Sequence, residues 1–230
     1  LAMPEINIGL FPDVGGTWFL NHAPGRTGLF LGLTGANINA ADALFVGMAD
    51  RFIPNGRKQA VLAALQAAEF GRCTASNNAV VSRVLRAQEA RDQLPASKVR
   101  EHLDLINAVT DGDSCAEICQ RILAIETDDT WLQKGIAQLQ KGCPTTAHLV
   151  YEQLQRGKKL SLEQVFQMEL IMALQCARHG DFAEGVRALL VDKDGTPKWR
   201  YNAVADVPAE WVEEHFVGPW GDSANPLLNI

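Results

Sequence analysis

Apolar residues recur at helical spacing through most of the chain after residue 56. Across residues 57–191, hydrophobic positions repeat at intervals of three and four, which is the spacing that lines one face of an α-helix. Residues that favour helix starts come before several of these runs, and glycines follow many of them. The pattern therefore predicts about ten helices and at most two or three strands, which is a mainly α chain.

Start and stop signals place several of these helices more closely along the chain. Ser161 and Gln164 have the spacing of a capping box, in which each side chain satisfies the other residue's backbone N–H. Proline is tolerated at the first position of a helix, where its missing N–H costs nothing. The predicted helices with such signals are 24–33 before Gly35, 40–46 after Asn39, 145–154 after Pro144, 162–177 after Ser161, and 182–191 after Asp181.

Two segments near the amino terminus have strand character instead. Residues 6–11 alternate loosely and are rich in β-branched side chains, and residues 48–53 form a second short candidate strand. An isolated pair of strands is marginally stable in water, so the remaining strands of the sheet are expected upstream. The chain also begins at Leu1 without an initiator Met. We therefore expect a carboxy-terminal part of a longer protein, with residues 1–56 as a core remnant and 57–230 as a helical region.

Composition and charge exclude several classes of function. Twenty-one Lys and Arg against 27 Asp and Glu leave a net charge of −6, which argues against general nucleic-acid or anionic-membrane binding. No run approaches the roughly 18 apolar residues of a membrane span. The five cysteines are scattered without a CxxC pair, so neither a zinc site nor a disulfide framework is expected. These features predict a cytoplasmic chain with free thiols and no bound metal.

Glu5 and Asp13 are the carboxylates of the first 40 residues, and they bracket the predicted first strand. Gly15 and Gly16 follow them in a turn that leads into a helix. Two carboxylates close to one turn are able to share general acid and base work. The same spacing is also compatible with a solvated strand residue and an ordinary turn aspartate. The residues by themselves leave both interpretations open.

A longer motif around these carboxylates resembles a known family. Residues 3–16, MPEINIGLFPDVGG, are similar to the active-site segment of the crotonase (enoyl-CoA hydratase/isomerase) superfamily. Residues 33–35, followed by 40–43 and 47–50, resemble the family's next two elements. The Phe-Pro-Asp sequence at 11–13, where simple hydratases carry Pro-Gly, points to the 3-hydroxyisobutyryl-CoA hydrolase branch. Further motifs that fit this branch are residues 143–146, 168–169, 181–188, 192–194 and 197–199. The resemblance covers nearly the whole chain and implies the carboxy-terminal helical part of an α+β, spiral ββα fold.

The resemblance also implies roles for individual residues. The position of Glu5 matches the main catalytic carboxylate of the family, and that of Asp13 matches the second acid of the hydrolase branch. Substrate contacts are expected from Glu5, Phe11, Asp13, Gly15 and Gly16. The implied partner is an acyl-CoA substrate, whose coenzyme A is part of the substrate, so no separate cofactor is expected. A homo-oligomer is a further partner that the family allows.

The oxyanion hole and most coenzyme A contacts of the family come from the half that precedes Pro4. That amino-terminal half is therefore an expected partner of this chain, which is predicted to be inactive alone. The leading hypothesis is hydrolysis of 3-hydroxyisobutyryl-CoA to 3-hydroxyisobutyrate and CoA in valine catabolism. An enoyl-CoA hydratase or isomerase is the alternative within the superfamily, and a non-catalytic helical assembly module is the alternative from another class.

Overall fold

The computed structural model describes residues 1–221 and 223–228, and every regular element in this part of the chain is helical. Short 3₁₀ turns and one π-helical turn, Arg187–Val191, connect the α-helices. The α-helices are α1 Gly16–Asn21, α2 Thr27–Thr34, α3 Ala40–Phe45, α4 Lys58–Gln66, α5 Thr74–Ala87, α6 Lys98–Glu101, α7 Leu103–Val109, α8 Cys115–Leu123, α9 Thr130–Lys141, α10 Pro144–Gly157, α11 Leu162–His179, α12 Asp181–Val186 and α13 Ala209–Glu214.

The mainly helical class is confirmed, and the start signals act as predicted. Asn39 accepts a hydrogen bond from the backbone N–H of Asp42, whose side chain accepts one from Asn39 in return, so α3 begins with a capping box. A second capping box joins Ser161 and Gln164 at the start of α11. Pro144 occupies the first position of α10, where a missing N–H is tolerated. The α2 helix ends before Gly35 as predicted.

The strand predicted over residues 6–11 was wrong. Residues Glu5–Ile8 form a 3₁₀ helix that ends at Gly9, whose φ of 70° is left-handed. The backbone N–H of Cys143 donates to the carbonyl of Ile6 over 2.9 Å, so the segment is held by a helix start rather than by a sheet. β-branched alternation favours a strand only where a neighbouring strand supplies ladder hydrogen bonds, and the described residues contain none.

The second predicted strand, over residues 48–53, was also wrong. This segment consists of a turn followed by irregular backbone. The backbone N–H of Ala90 donates to the carbonyl of Phe52 over a long 3.4 Å. A strand ladder needs a series of such bonds, so the apolar stretch before Pro54 remains a connecting loop.

The helix predicted after Asp181 differs from the structure at both ends. Gly180 is the N-cap of α12, and Asp181 is its first helical residue. The Asp181 carboxylate is directed into the protein, where it accepts hydrogen bonds from the Thr145 hydroxyl over 2.8 Å and the Arg200 backbone N–H over 2.9 Å. The regular helix ends at Val186, and the π-helical turn Arg187–Val191 follows. The Asp181 carboxylate therefore bonds to Thr145 and Arg200 in the interior and does not cap α12.

Contacts divide the chain into two compact units. The first contains Leu1–Asn37 with the residues from His102 onward, and the second contains Ile38–Glu101. This division does not show which residues belong to a catalytic core, so the predicted boundary at residue 56 stays a prediction. One buried cluster in the core of the first unit brings α10 and α11 together with the segment that precedes α1, and its members are Phe11, Leu149, Met172, Cys176, Val207 and Val212.

The second unit, with α3 to α6, is organised around a buried aspartate. Asp42 is fully buried, and its carboxylate accepts hydrogen bonds from the Ser97 hydroxyl and the Val99 backbone N–H. The helices α4 and α5 contain no fully buried residue. The hydrogen bonds that the buried Asp42 carboxylate accepts thus link the start of α3 to the start of α6 within this unit.

Candidate active site

Glu5 is the first residue of the 3₁₀ helix and is half-buried. One carboxylate oxygen, Oε2, is buried and has no hydrogen-bond partner among the described residues. Burial raises the pKa of Glu5 to about 6, and the negative charge of Asp13 adds to the rise. Glu5 is therefore a carboxylate with an unused acceptor atom and a proton affinity above that of an ordinary glutamate.

Close backbone packing holds the segment of Glu5 in place. A Cβ atom on Gly142 would lie 2.7 Å from Cγ1 of Ile6, and a Cβ on Gly9 would lie 2.5 Å from the carbonyl oxygen of Asp181. Real Cβ atoms do not approach other atoms so closely, so the two glycines permit a contact that no other residue allows here. The segment of Glu5 is consequently held on two sides, by Gly142 against the Ile6 side chain and by Gly9 against the backbone of Asp181.

Asp13 lies in the turn that precedes α1 and is half-buried. Its carbonyl accepts a hydrogen bond from the N–H of Gly16 over 2.8 Å. Its negative charge contributes to the raised pKa of Glu5, which shows that the two carboxylates are within electrostatic range of each other. The structure therefore brings together the two acidic residues that the sequence singled out, while their catalytic roles stay predictions.

Two residues that hold this turn were given no role by the sequence analysis, which noted Glu169 only as part of a family motif and did not single out Gln153. The buried Gln153 side chain of α10 donates from Nε2 to the carbonyl of Pro12 over 3.1 Å. The buried Glu169 carboxylate of α11 accepts the N–H of Gly15 at Oε2 over 2.7 Å and the N–H of Thr17 at Oε1 over 3.0 Å. Burial raises the pKa of Glu169, the backbone hydrogen bonds lower it, and Asp13 raises it further. Both are polar residues on otherwise apolar helix faces, and this pattern was the signal in the sequence that could have identified them.

The other residues predicted to contact substrate, Phe11, Gly15 and Gly16, make contacts within the folded chain. Phe11 is fully buried in the cluster that contains Leu149 and Met172. The N–H of Gly15 is engaged by Glu169, and that of Gly16 by Asp13, so these two donors are already in use. Substrate binding by Phe11, Gly15 and Gly16 stays a prediction. Any contact with substrate from the two glycines has to use atoms other than their N–H groups.

Arg187, near the carboxy terminus, does not offer a free charge for a phosphate. The guanidinium of Arg187 lies within hydrogen-bond distance of Glu184, Asp192 and Asp194. These carboxylates raise the pKa of Arg187, and the hydrogen bond from Arg187 in turn lowers the pKa of Asp194 to about 2. The Arg187 side chain thus closes a local ion-pair cluster with three carboxylates.

A cavity of about 550 Å³ lies elsewhere in the first unit, and neither Glu5 nor Asp13 lines it. Its walls come from α8, α9 and the irregular segment around Trp199. The acidic residues therefore do not open into this cavity, and no chemistry is assigned to it. Among the described residues, no helix combines the length and the apolarity needed to cross a membrane.

Comparison with known proteins gives consistent matches over nearly the whole chain. Residues 1–216 match the family described as enoyl-CoA hydratase/isomerase. A mitochondrial 3-hydroxyisobutyryl-CoA hydrolase from Gallus gallus is 35% identical over 215 residues, covering 94% of this chain and 55% of that protein. The mitochondrial enzyme of the same name from Homo sapiens is 33% identical over 218 residues, covering 94% of this chain and 55% of that protein.

Solved structures give the same picture at the level of the fold. A carnitinyl-CoA dehydratase from Mycobacterium thermoresistibile superimposes with a TM-score of 0.80 at 31% identity, covering 98% of this chain and 59% of that one. An enoyl-CoA hydratase from Rhodobacter sphaeroides gives a TM-score of 0.75 at 32% identity, covering 94% of this chain and 58% of that one.

The chain spans a little over half the length of these relatives. The names of the Gallus gallus and Homo sapiens relatives place those proteins in mitochondria, so the predicted cytoplasmic location is not supported and stays a prediction. The matching segment corresponds to the carboxy-terminal portion of the relatives, as the resemblance around residues 3–16 implied. The match over residues 1–216 shows that the chain belongs to the enoyl-CoA hydratase/isomerase family.

Proposed function

We propose that this chain carries the acidic residues of an acyl-CoA thioester hydrolase that acts on 3-hydroxyisobutyryl-CoA in valine catabolism. The observation that carries the proposal is the half-buried Glu5 carboxylate, with a pKa raised to about 6 and an unpartnered oxygen, in electrostatic range of Asp13. The names of relatives at 33% and 35% identity support the choice of substrate. The reaction adds water to the thioester carbonyl carbon, breaks the C–S bond, and releases a carboxylate and the thiol of CoA.

Glu5 is the base or nucleophile in this proposal. With a pKa of about 6, roughly nine-tenths of Glu5 is ionised at pH 7, and its proton affinity suits proton transfer near neutral pH. The unpartnered Oε2 has two routes open to it. In the first, it attacks the thioester carbonyl, expels the CoA thiolate and forms an anhydride that water then hydrolyses to return the Glu5 carboxylate. In the second, it accepts the proton of a water that attacks the carbonyl.

Asp13 is the second acid, which orients the water or supplies a proton to the leaving thiolate. Among the residues the structure describes, no hydrogen-bond donor contacts the Asp13 side chain, while its backbone carbonyl is engaged by Gly16. Its carboxylate is therefore available to a ligand. The negative charge that it places near Glu5 adds to the rise in the pKa of Glu5 that burial causes.

Three N–H groups of this turn are already engaged and are not free to stabilise the oxyanion. Gly15 and Thr17 donate their N–H groups to Glu169, and Gly16 donates to Asp13. In acyl transfer, loss of one oxyanion donor costs about 10²–10³ in rate. We therefore propose that an amino-terminal half supplies the oxyanion donors and most coenzyme A contacts, and that the 230-residue chain alone releases no CoA thiol.

Hydration or isomerisation of an enoyl-CoA is the second candidate reaction. The resemblance to a solved enoyl-CoA hydratase, with a TM-score of 0.75, is the observation in its favour. The presence of Asp13 in the Phe-Pro-Asp sequence, where simple hydratases carry glycine, is the feature against it. A helical assembly module without catalysis is the third candidate.

One set of assays separates these functions. The protein to use is this chain preceded by the segment encoded immediately upstream of Leu1, which we name the joined enzyme. Release of free thiol from 3-hydroxyisobutyryl-CoA supports the hydrolase, whereas loss of enoyl absorbance from an enoyl-CoA without thiol release supports the hydratase. Absence of acyl-CoA binding, together with oligomers in light scattering, supports the assembly module and overturns the proposal.

A further inference from the structure

We propose that Glu169 of α11 is a positioning residue that holds Asp13 in its reactive place by bonding the backbone of the turn that carries it. This inference rests on the proposed function of Asp13. Glu169 lies 156 positions beyond Asp13 in the sequence. Its carboxylate nevertheless accepts hydrogen bonds from the N–H groups of Gly15 and Thr17, two and four positions after Asp13.

The turn after Asp13 has a backbone that needs outside support. Val14 has a φ of 57° and Gly15 a φ of 82°, so two consecutive residues are left-handed. Glycine adopts this conformation freely, but valine is β-branched and strained in it. Val14 is also largely exposed, so no burial of its side chain compensates for the strain. The turn is therefore held by contacts to its backbone rather than by the preference of its residues.

Glu169 supplies the contacts at the site of strain. Its Oε2 accepts the N–H of Gly15 over 2.7 Å, and its Oε1 accepts the N–H of Thr17 over 3.0 Å. Hydrogen bonds to an ionised carboxylate are shorter and stronger than those between neutral groups. Since both oxygens are used on residues two and four positions after Asp13, the carboxylate holds the backbone that directly follows Asp13.

Burial of a charge at this position is costly, and an apolar residue would satisfy the packing of α11. Glu169 is 4% exposed and lies on the same helix face as Val165, Met172 and Cys176, which are buried as well. The desolvation of a carboxylate is compensated only where hydrogen bonds to it are made. The bonds to the turn are the ones that Glu169 makes, and burial together with nearby Asp13 raises the pKa of Glu169. The position is thus specialised for holding the turn.

The geometric part of the proposal is tested on the 230-residue chain itself by amide hydrogen exchange. Glu169→Gln removes the charge and turns an amide NH₂ towards one of the two backbone donors. We expect exchange at Gly15 and Thr17 to become at least about tenfold faster, the effect of losing one charge-assisted hydrogen bond. Glu163→Gln is the matched control, because Glu163 is an exposed glutamate on the same helix. Equal exchange in the two variants would overturn the proposal.

The functional part is tested by a double-mutant cycle on thiol release by the joined enzyme. We expect Glu169→Gln to lower kcat about tenfold with KM within about twofold, because ground-state binding is left intact. In an Asp13→Asn background, the same change should alter kcat by less than about twofold, since the residue it positions is already disabled. An equal tenfold loss in both backgrounds indicates a purely structural role and overturns the proposal.

A third variant covers the outcome in which Glu169→Gln unfolds the protein. Val14→Gly relieves the strain in the turn without touching α11, so the Val14→Gly/Glu169→Gln pair should fold and recover part of the lost kcat. Failure of the pair to recover either fold or kcat would contradict the proposal. Full thiol release by Asp13→Asn alone would instead overturn the proposed function, so the two failures are distinguishable.

Discussion

Gly185 of α12 lies directly against the backbone of Ile8, at the end of the 3₁₀ helix that begins with Glu5. A Cβ atom on Gly185 would lie 2.4 Å from both the carbonyl carbon and the carbonyl oxygen of Ile8. No side chain fits in this space, so α12 and the backbone that carries Glu5 are packed in direct contact. The place of the candidate catalytic carboxylate therefore depends on a helix more than 170 residues further along the chain.

Gly185→Ala is expected to destabilise the chain although alanine is the better helix former. Its propensity gain of about 1 kcal/mol is outweighed by the overlap with Ile8, and we expect a net loss of about 2 kcal/mol in the free energy of unfolding. Urea denaturation measures this change. Gly56→Ala is the control, because a Cβ at Gly56 meets nothing within 4 Å. A Gly185→Ala chain as stable as the wild type would show that the two segments are not in this contact.

Val14→Gly is expected to stabilise the chain. Glycine adopts the left-handed φ of 57° without strain, whereas a left-handed β-branched residue costs about 1–2 kcal/mol. The added flexibility of the unfolded chain removes part of the gain, which leaves about 1 kcal/mol. Thermal unfolding measures the result, and the exposed Val191→Gly, at a position with no positive φ, should lose stability instead. A lower stability for Val14→Gly would contradict the backbone conformation of the turn.

The contribution of Glu5 to stability should depend on pH with a definite sign. Its pKa is raised from 4.5 to about 6 in the folded chain, so the folded state binds the proton more tightly than the unfolded state. The resulting stabilisation is fully present below pH 4.5 and is lost as the pH rises through about 6. The wild type should therefore lose stability relative to Glu5→Gln across this window.

The comparison with Glu5→Gln is needed because two histidines titrate in the opposite sense. Burial lowers the pKa of both His179 and His215, so their stabilisation is lost as the pH falls. Both proteins contain these histidines, and the difference between the two stability curves isolates Glu5. A difference that stays flat between pH 4.5 and 6 would show that Glu5 has an ordinary proton affinity.

Asp13→Gly is expected to lower hydrolysis by the joined enzyme while acyl-CoA binding persists. The substitution recreates the turn sequence of simple hydratases and removes the second carboxylate, whose loss costs about 10² or more if it transfers a proton. Thiol release and equilibrium binding of the acyl-CoA measure the two properties separately. Unchanged hydrolysis would remove the reason for preferring a hydrolase over a hydratase.

Much of the helical architecture follows from local signals that the sequence displays. Asn39 and Ser161 cap helices because their side chains reach backbone N–H groups within three residues, and this needs no information from elsewhere in the fold. Pro144 starts α10 for a similarly local reason. The pairing of Glu5 with Asp13 was also predictable, because both flank one short segment and lie in one family motif.

The failures concern interactions between residues that are distant in sequence. Residues 6–11 have the composition of a strand, but the bond from Cys143 and the contact with Gly185 hold a 3₁₀ helix there. Glu169 lies in an apolar stripe, and no local pattern shows that its carboxylate meets a turn more than 150 residues earlier. Asp181 has the sequence position of a helix N-cap, yet its carboxylate accepts hydrogen bonds from Thr145 and Arg200 in the interior.

The central claim is that Glu5 performs the chemistry of thioester hydrolysis. The measurement that tests it most directly is thiol release from 3-hydroxyisobutyryl-CoA by the Glu5→Gln joined enzyme, with circular dichroism to establish that the variant is folded. An amide neither attacks a carbonyl nor accepts a proton from water, so we predict a loss of about 10² or more in kcat. Turnover within a few fold of the wild type would contradict the account.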